Sequence, residues 1–398
     1  MIVMKKKVLF VIDSLQSGGA EKSLVSLLSL LDYEKYEVDL LMFSASGLYL
    51  PLLPKQVNVL DVPIVIKRQA EKFKNLIKHK YFKELFLRIG ASISLRNPYI
   101  NNNLHAAQIV WRWVSKGMDN LKGKYDVAIA YSQGMPTYFV ANKVYASKKI
   151  AWVNTDYRLA AYNKDFDLNY YEEFNEIVAV SDVCKEVLIQ EIPKIESRIQ
   201  VVYDIISPTL IKSMANEGQG FSDQFEGLRI LTIGRLVYEK GYELAVEACY
   251  KLKQKGYKFK WYVIGEGNLQ NKLEEMISKY NLHDTFILLG THKNPYPFIK
   301  QSDIYVQPSR YEGYGLAIAE ARIFQKPIVV TDFITVHNQI KNRENGLIVK
   351  MNSEEVYEGI EEIIEDNLLK KYLCENLKNE QVGTEGELKK VYALLEKY

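Results

Sequence analysis

The sequence predicts an α/β protein of two doubly wound, Rossmann-like domains, and three observations predict it. The chain has 398 residues, 47% hydrophobic and 25% charged, a globular balance; at roughly 100–200 residues per domain that length suggests two domains. Its apolar segments are short unbroken runs rather than alternating ones, as in parallel strands buried on both faces. Finally, one strand–loop–helix unit recurs: Arg229–Ile233 with Gly234-Arg235 and a helix from Tyr242 repeats the opening layout about 222 residues later. Two copies of one βα layout imply two such domains.

Taken in order, Val8–Ile12 is the first strand. It follows the basic Lys5–Lys7, yet five apolar residues are too few for a signal peptide and far below the roughly 18 of a spanning helix. A cytoplasmic protein is therefore expected. Gly18-Gly19-Ala20-Glu21 opens a helix whose apolar residues recur at helical spacing through Ser23–Leu31. Val38–Phe43, Val57–Val62, Val127–Tyr131, Ile150–Val153 and Ile177–Val180 read as further strands, separated by helices or loops. Ser207-Pro208 through Gly227 is polar and turn-rich, which puts a boundary near 205–228. The first domain is thus 1–205 and the second 206–384. In the second, Trp261–Ile264, Phe286–Leu289, Ile304–Gln307 and Ile328–Val330 continue the strand pattern. A last helix over 385–398 is free to pack on either domain, including back on the first.

Cys184, Cys249 and Cys374 lie far apart, and the five histidines are scattered. Neither spacing suits a disulfide framework or a metal site. The net charge of +3 is too small to imply nucleic acid. It is unevenly spread: residues 67–124 hold 13 Lys/Arg against Glu71, Glu84 and Asp119. Within it Lys67, Arg68, Lys72, Lys74, Lys78, Lys80, Lys83 and Arg88 alternate with Phe73, Leu76, Ile77, Tyr81, Phe82, Leu85, Phe86 and Ile89. Such a basic amphipathic pattern fits a helix lying on an anionic membrane surface, here over 67–96. The plainer reading is a solvated helix packed on its own domain by its apolar stripe.

The segment richest in chemistry is Pro308-Ser309-Arg310-Tyr311-Glu312-Gly313-Tyr314-Gly315, leading to Glu320-Ala321. It follows a strand and enters a helix, the place where open α/β sheets bind ligands. Its glycines let backbone N–H groups approach a phosphate at a helix N-terminus. Glu312 and Glu320 can accept hydrogen bonds from sugar and ribose hydroxyls. Gly234-Arg235 through Lys240-Gly241 also follows a strand and offers two cations for phosphate oxygens. Together these residues describe a pocket for a diphosphate carrying hydroxylated groups, a nucleotide-sugar.

Gly-Arg-x4-Lys-Gly followed by Ser-x-Tyr-Glu-Gly-Tyr-Gly-x4-Glu-Ala resembles the retaining glycosyltransferases of the GT-B fold, family four, of the bacterial surface-polysaccharide type. Gly18-Gly19-Ala20-Glu21-Lys22 is similar to that family's first glycine-rich loop, and Val180-Ser181 and Val201-Val202-Tyr203 to its landmarks near the end of the first domain. The resemblance implies two Rossmann-like domains facing each other across a cleft and closing by a hinge. It implies that Arg235 and Lys240 bind the donor diphosphate and stabilise it as it leaves. Glu312 would contact donor-sugar hydroxyls, with the backbone of Gly313, Tyr314 and Gly315 holding sugar and phosphates. Glu320 would bind the ribose, and Gly18 and Gly19 would close over the donor. Front-side attack, in which the leaving phosphate takes the acceptor proton, needs no carboxylate nucleophile and no metal or other cofactor.

Two departures stand out. Asn154 occupies the strand-end position where the family often has a donor-contacting His, and an amide cannot ionise. Asp204 stands where Asn is common. Asp165-x-Asp167 matches a metal motif of another glycosyltransferase fold, but two Asp at that spacing carry no weight in this composition.

The reading is therefore a retaining, metal-independent transferase. It moves a hexosyl or N-acetylhexosaminyl group from a nucleotide-sugar, a UDP-sugar favoured, to a saccharide acceptor that is lipid-linked, in surface-polysaccharide assembly on the inner face of the cell membrane. Two alternatives compete: an inactive nucleotide-sugar-binding or partner protein of the same fold, suggested by Asn154, and a nucleotide-sugar epimerase. No acid–histidine cluster for proton abstraction supports the second. A dinucleotide-dependent dehydrogenase is disfavoured because neither first loop reads G-x-G-x-x-G.

Overall fold

Apolar runs this short cannot be told from helix by periodicity, but flanked by helices they pair as interior parallel strands. The computed structural model describes residues 5–16, 18–101, 103–158 and 160–396. It separates two compact units, Met1–Ile205 with Gly386–Tyr398, and Ile206–Glu385. The first contains β1 (Lys6–Ile12), β2 (Tyr36–Met42), β3 (Asn58–Val59), β4 (Tyr125–Ala130), β5 (Ala146–Val153), β6 (Glu176–Ala179) and β7 (Ile199–Val201). They form one parallel sheet in the order β3-β2-β1-β4-β5-β6-β7. The second contains β8 (Leu228–Ile233), β9 (Phe259–Ile264), β10 (Phe286–Leu288), β11 (Ile304–Gln307), β12 (Ile328–Thr331) and β13 (Leu347–Val349), ordered β10-β9-β8-β11-β12-β13. Helices cross over between strands, so Val8–Val11 and Ile304–Val306 are wholly buried.

Both orders reverse direction once. The chain winds outward from β1 to β3 and then returns to lay β4 on the other side of β1; β8, β9, β10 and then β11 repeat the move. Each reversal leaves a crevice at the strands' carboxyl ends, between β1 and β4 and between β8 and β11, where ligands bind in such sheets.

The structure departs from the sequence reading in four places. The strand expected over Val57–Val62 shrinks to the exposed edge pair Asn58–Val59, because it has a neighbour on one side only and ends at Pro63. β7 and β13, three residues each, are too short to leave a periodic signal. The turn-rich stretch after Ser207 is a structured part of the second unit. Ser207 Oγ accepts from Leu210 N–H at 3.4 Å and Pro208 takes the first turn of helix Pro208–Glu217, a capping arrangement that starts a helix; Ile211 and Ala215 then pack into the core. Lastly, the basic stretch is not one helix but three: Ile64–Gln69, Phe73–Lys78 and Phe82–Arg96. Lys80 adopts the left-handed conformation, φ 57°. Its N–H reaches Ile77 O at 3.1 Å and Tyr81 N–H reaches Leu76 O at 2.9 Å, the bond pair that closes a helix at its carboxyl end.

Helix Leu388–Glu396 belongs to the first unit, burying Val391, Leu394 and Leu395 in its core. Lys148 and Lys6 donate to the Leu394 and Leu395 carbonyls at 2.8 and 3.1 Å, cations placed at the helix end where partial negative charge accumulates.

Candidate functional site

In the second unit, two loops flank the β8–β11 reversal. After β8 the chain passes Gly234 and Arg235, makes a 3-10 turn over Tyr238–Lys240 and enters helix Tyr242–Gln254. After β11 it runs from Pro308 to Gly315 and into helix Leu316–Ile323. The loops meet at Gly241, which is left-handed at φ 61°; a Cβ there would lie 2.0 Å from Pro308 O. Only glycine combines that dihedral with that approach. Arg310 N–H also donates to Glu239 O at 2.8 Å. Its guanidinium pairs with Glu243 at 3.0 Å and stacks on Tyr238, centroid at 4.4 Å. Arg310 is therefore a brace between the loops.

That approach sets Lys240 Nζ 2.5 Å from both carboxylate oxygens of Glu312. Both side chains are largely buried. Glu312 Oε1 also accepts from Ser309 Oγ at 2.7 Å and Gln307 Nε2 at 3.2 Å. Gln307 in turn accepts from Tyr305 O–H at 2.5 Å, and Thr335 Oγ1 holds the Glu312 carbonyl at 2.9 Å. The sequence assigned Lys240 and Glu312 to separate ends of a ligand, phosphate and sugar; they touch. An ammonium has three donors, so Lys240 can keep Glu312 and still offer one to a phosphate oxygen.

Arg235 lies on the same loop, exposed, with no side-chain hydrogen bond or ion pair to the described residues. Glu320 is buried in the second turn of helix Leu316–Ile323 and accepts from Tyr296 O–H at 3.3 Å. Gly313 and Tyr314 are half-buried in the loop. Gly315, left-handed at φ 83°, is the helix N-cap, its carbonyl held by Gln339 Nε2 at 3.2 Å. Gln307, Thr335 and Tyr296 were not anticipated, and Ser309 was read only as part of the motif, without a role. Their one legible signal was a polar Gln closing an apolar strand, since a buried amide requires partners.

Gly18, Gly19 and Asn154 belong to the first unit, at the β1–β4 reversal and the end of the neighbouring β5. Gly18 caps helix Gly19–Leu30, and the Glu21 carboxylate lies where a Gly18 Cβ would be. Asn154 is tied to the loop after β4: its N–H donates to Gln133 Oε1 at 3.0 Å and Nδ2 to Tyr131 O at 2.7 Å. Asn154 Oδ1 is buried and accepts no hydrogen bond from the described residues. Asp13, at the end of β1, is pushed up from 3.8 to about 6, chiefly by desolvation, with the Ser132 bond opposing and Glu21 adding. The Asp165-x-Asp167 motif has a structural use: Asp167 is buried and accepts from Tyr138, Tyr157 and Gln108, each at 2.6 Å.

Asp204, beyond β7, is enclosed, and burial raises its carboxyl from 3.8 to about 6 against an opposing Ser23 hydroxyl bond. A folded value above the unfolded one means that the folded chain holds the proton more tightly. The stability contributed by this group therefore falls as pH rises from about 4 to about 6. Asp204→Asn should raise stability at pH 8 by on the order of 2 kcal/mol and lose that gain at pH 4. Denaturant melts at the two pH values check this; a less stable variant at pH 8 would contradict it.

Residues 224–380, nearly all of the second unit, match the model of the family described as glycosyl transferases group 1. The chain is similar to that family over this unit. The chain is 24% identical over 363 residues to N-acetylgalactosamine-N,N'-diacetylbacillosaminyl-diphospho-undecaprenol 4-alpha-N-acetylgalactosaminyltransferase of Campylobacter jejuni, covering 90% of each chain. It is 28% identical to an uncharacterized glycosyltransferase of Methanocaldococcus jannaschii, over 49% of this chain and only 50% of that protein. Among solved structures, Anabaena HepE in complex with UDP-glucose superposes with a TM-score of 0.71 at 15% identity, covering 99% of this chain and 100% of that one. Staphylococcus aureus TarM gives a TM-score of 0.68 at 14% identity, covering 99% of both. These likenesses establish the GT-B fold, two Rossmann-like units in one chain.

Proposed function

We infer that this glycosyltransferase is retaining and metal-independent, and moves a hexosyl or N-acetylhexosaminyl group from a nucleotide-sugar to a saccharide acceptor. The observation that carries the reading is the Lys240–Glu312 contact at the β8–β11 reversal, with Arg235 exposed on the same loop. In this reading Lys240 and Arg235 grip the diphosphate and stabilise its charge as the glycosidic bond breaks, the role a metal would otherwise fill. Glu312 keeps Lys240 in place and turns its remaining lone pairs to donor-sugar hydroxyls. Glu320 serves the ribose. The departing phosphate takes the acceptor proton on the face it leaves, so the anomeric configuration is kept.

A UDP-sugar is the favoured donor, in line with the UDP-glucose bound to HepE. A lipid-linked saccharide is the favoured acceptor, in line with the diphospho-undecaprenol substrate in the Campylobacter enzyme's name. The pathway proposed is cell-surface polysaccharide assembly at the inner face of the membrane; a Staphylococcus aureus relative, 27% identical over 36% of this chain, is described as a capsular polysaccharide biosynthesis glycosyltransferase.

The test is a panel of nucleotide-sugars scored by thermal shift, followed by proton NMR of the slow hydrolysis product. A donor that raises the melting temperature and releases sugar first in the donor's own anomeric form, unchanged by EDTA, supports the reading. Binding without turnover on any acceptor or water identifies an inactive binding protein; an inverted product or EDTA-sensitive turnover removes the mechanism.

A further inference from the structure

Helix Phe82–Arg96 is assembled inside out. Its packed face carries Glu84, Leu87, Gly90, Ala91 and Ser94, so an acid, a glycine and a serine are buried. Glu84 is ion-paired there with Arg68 of helix Ile64–Gln69. Its solvent face carries Phe82, Phe86, Ile89 and Ile93, of which Phe82, Phe86 and Ile93 are 60%, 66% and 62% exposed. The spacing of four, three and four residues aligns them along one side of the helix, a ridge on the order of 16 Å long. Phe73 and Ile77, four apart on helix Phe73–Lys78, are exposed as well. A soluble chain leaves so many large apolar side chains together in water only where something covers them.

Charge identifies what covers them. Lys72, Lys74, Lys78, Lys80 and Lys83 are all exposed around the ridge. From 64 to 100 the acids are only Glu71 and Glu84, and Glu84 is consumed by Arg68. A second copy of this face would bring those lysines against themselves, because a two-fold contact joins identical patches. A bilayer surface with anionic headgroups complements both features, taking apolar side chains into the acyl boundary and lysines among the phosphates. No helix among the described residues is long and apolar enough to span.

We propose that this ridge docks the protein on an anionic phospholipid bilayer, Phe82, Phe86, Ile89 and Ile93 inserting and Lys72, Lys74, Lys78 and Lys83 gripping headgroups. Arg68 and Arg88 are not part of the grip, since Arg68 is bound to Glu84 and Arg88 donates to the Glu71 carbonyl. The inference is independent of which sugar is moved.

The full chain should sediment with vesicles of phosphatidylcholine and phosphatidylglycerol. Affinity for pure phosphatidylcholine should be weaker by on the order of 100-fold. The double variant Phe82→Ser with Ile93→Ser should lose about tenfold or more in vesicle affinity while its melting temperature stays put, because both side chains are exposed. Leu368→Ser, at an exposed apolar position of the second unit (80% exposed), should bind as the parent does. Equal binding to both vesicle types, or full binding by the double variant, overturns the proposal. So does a concentration-dependent dimer that the double variant abolishes without any vesicle binding, which would make the ridge a contact between copies.

Discussion

Lys240→Ala should lower kcat by on the order of 100-fold or more at saturating donor, the usual cost of deleting one donor aimed at developing charge. Its effect on stability should be far smaller. Glu312 loses its cation but keeps Ser309 and Gln307, so the change resembles one lost hydrogen bond to a charged group, about 1–3 kcal/mol. Glu312→Gln separates the two roles of the pair. It leaves the Lys240 charge in place, so a purely structural ion pair would make the two variants equally slow. If Lys240 meets the leaving diphosphate, Lys240→Ala is the slower enzyme, and single-turnover assays at saturating donor show it. Near-parental kcat in Lys240→Ala would remove this residue from the chemistry.

Gly241→Ala should be comparably damaging although it deletes no functional group. Its φ of 61° costs an L-residue about 1–2 kcal/mol. The new Cβ would also sit 2.0 Å from Pro308 O, a backbone atom that no rotamer change can move. The β8 and β11 loops must therefore part, separating Lys240 from Glu312. A misplacement of about 1 Å in a catalytic constellation can cost on the order of 100-fold, and a loss of that size in kcat is expected, with a fall of several degrees in melting temperature. Gly256→Ala is the control. Gly256 is also left-handed, φ 84°, but nothing lies within 4 Å of its would-be Cβ. That variant should lose some stability and keep its activity. Parental turnover in Gly241→Ala would mean that the close approach of the loops does not set the site.

The sequence by itself determined the two βα repeats, because unbroken apolar runs leave parallel, doubly covered strands as the economical solution. It also singled out the two loops of the candidate site, because glycines beside Arg235, Lys240 and Glu312 follow strand ends. The tertiary structure decided how those groups meet. Lys240 and Glu312 are 72 residues apart, and they touch because β11 pairs with β8 and Gly241 admits the Pro308 carbonyl. No local spacing encodes a contact made by strand adjacency, and Gln307 and Ser309 gain meaning only once that carboxylate lies beside them. The basic stretch teaches the same lesson in reverse. Its periodicity announced an amphipathic element, but which side faces the protein depended on the shape of the surface beneath. Gly90, Ala91 and Ser94 pack closely where Phe86 and Ile93 cannot, and close packing, not hydrophobicity alone, turned the aromatic face to solvent.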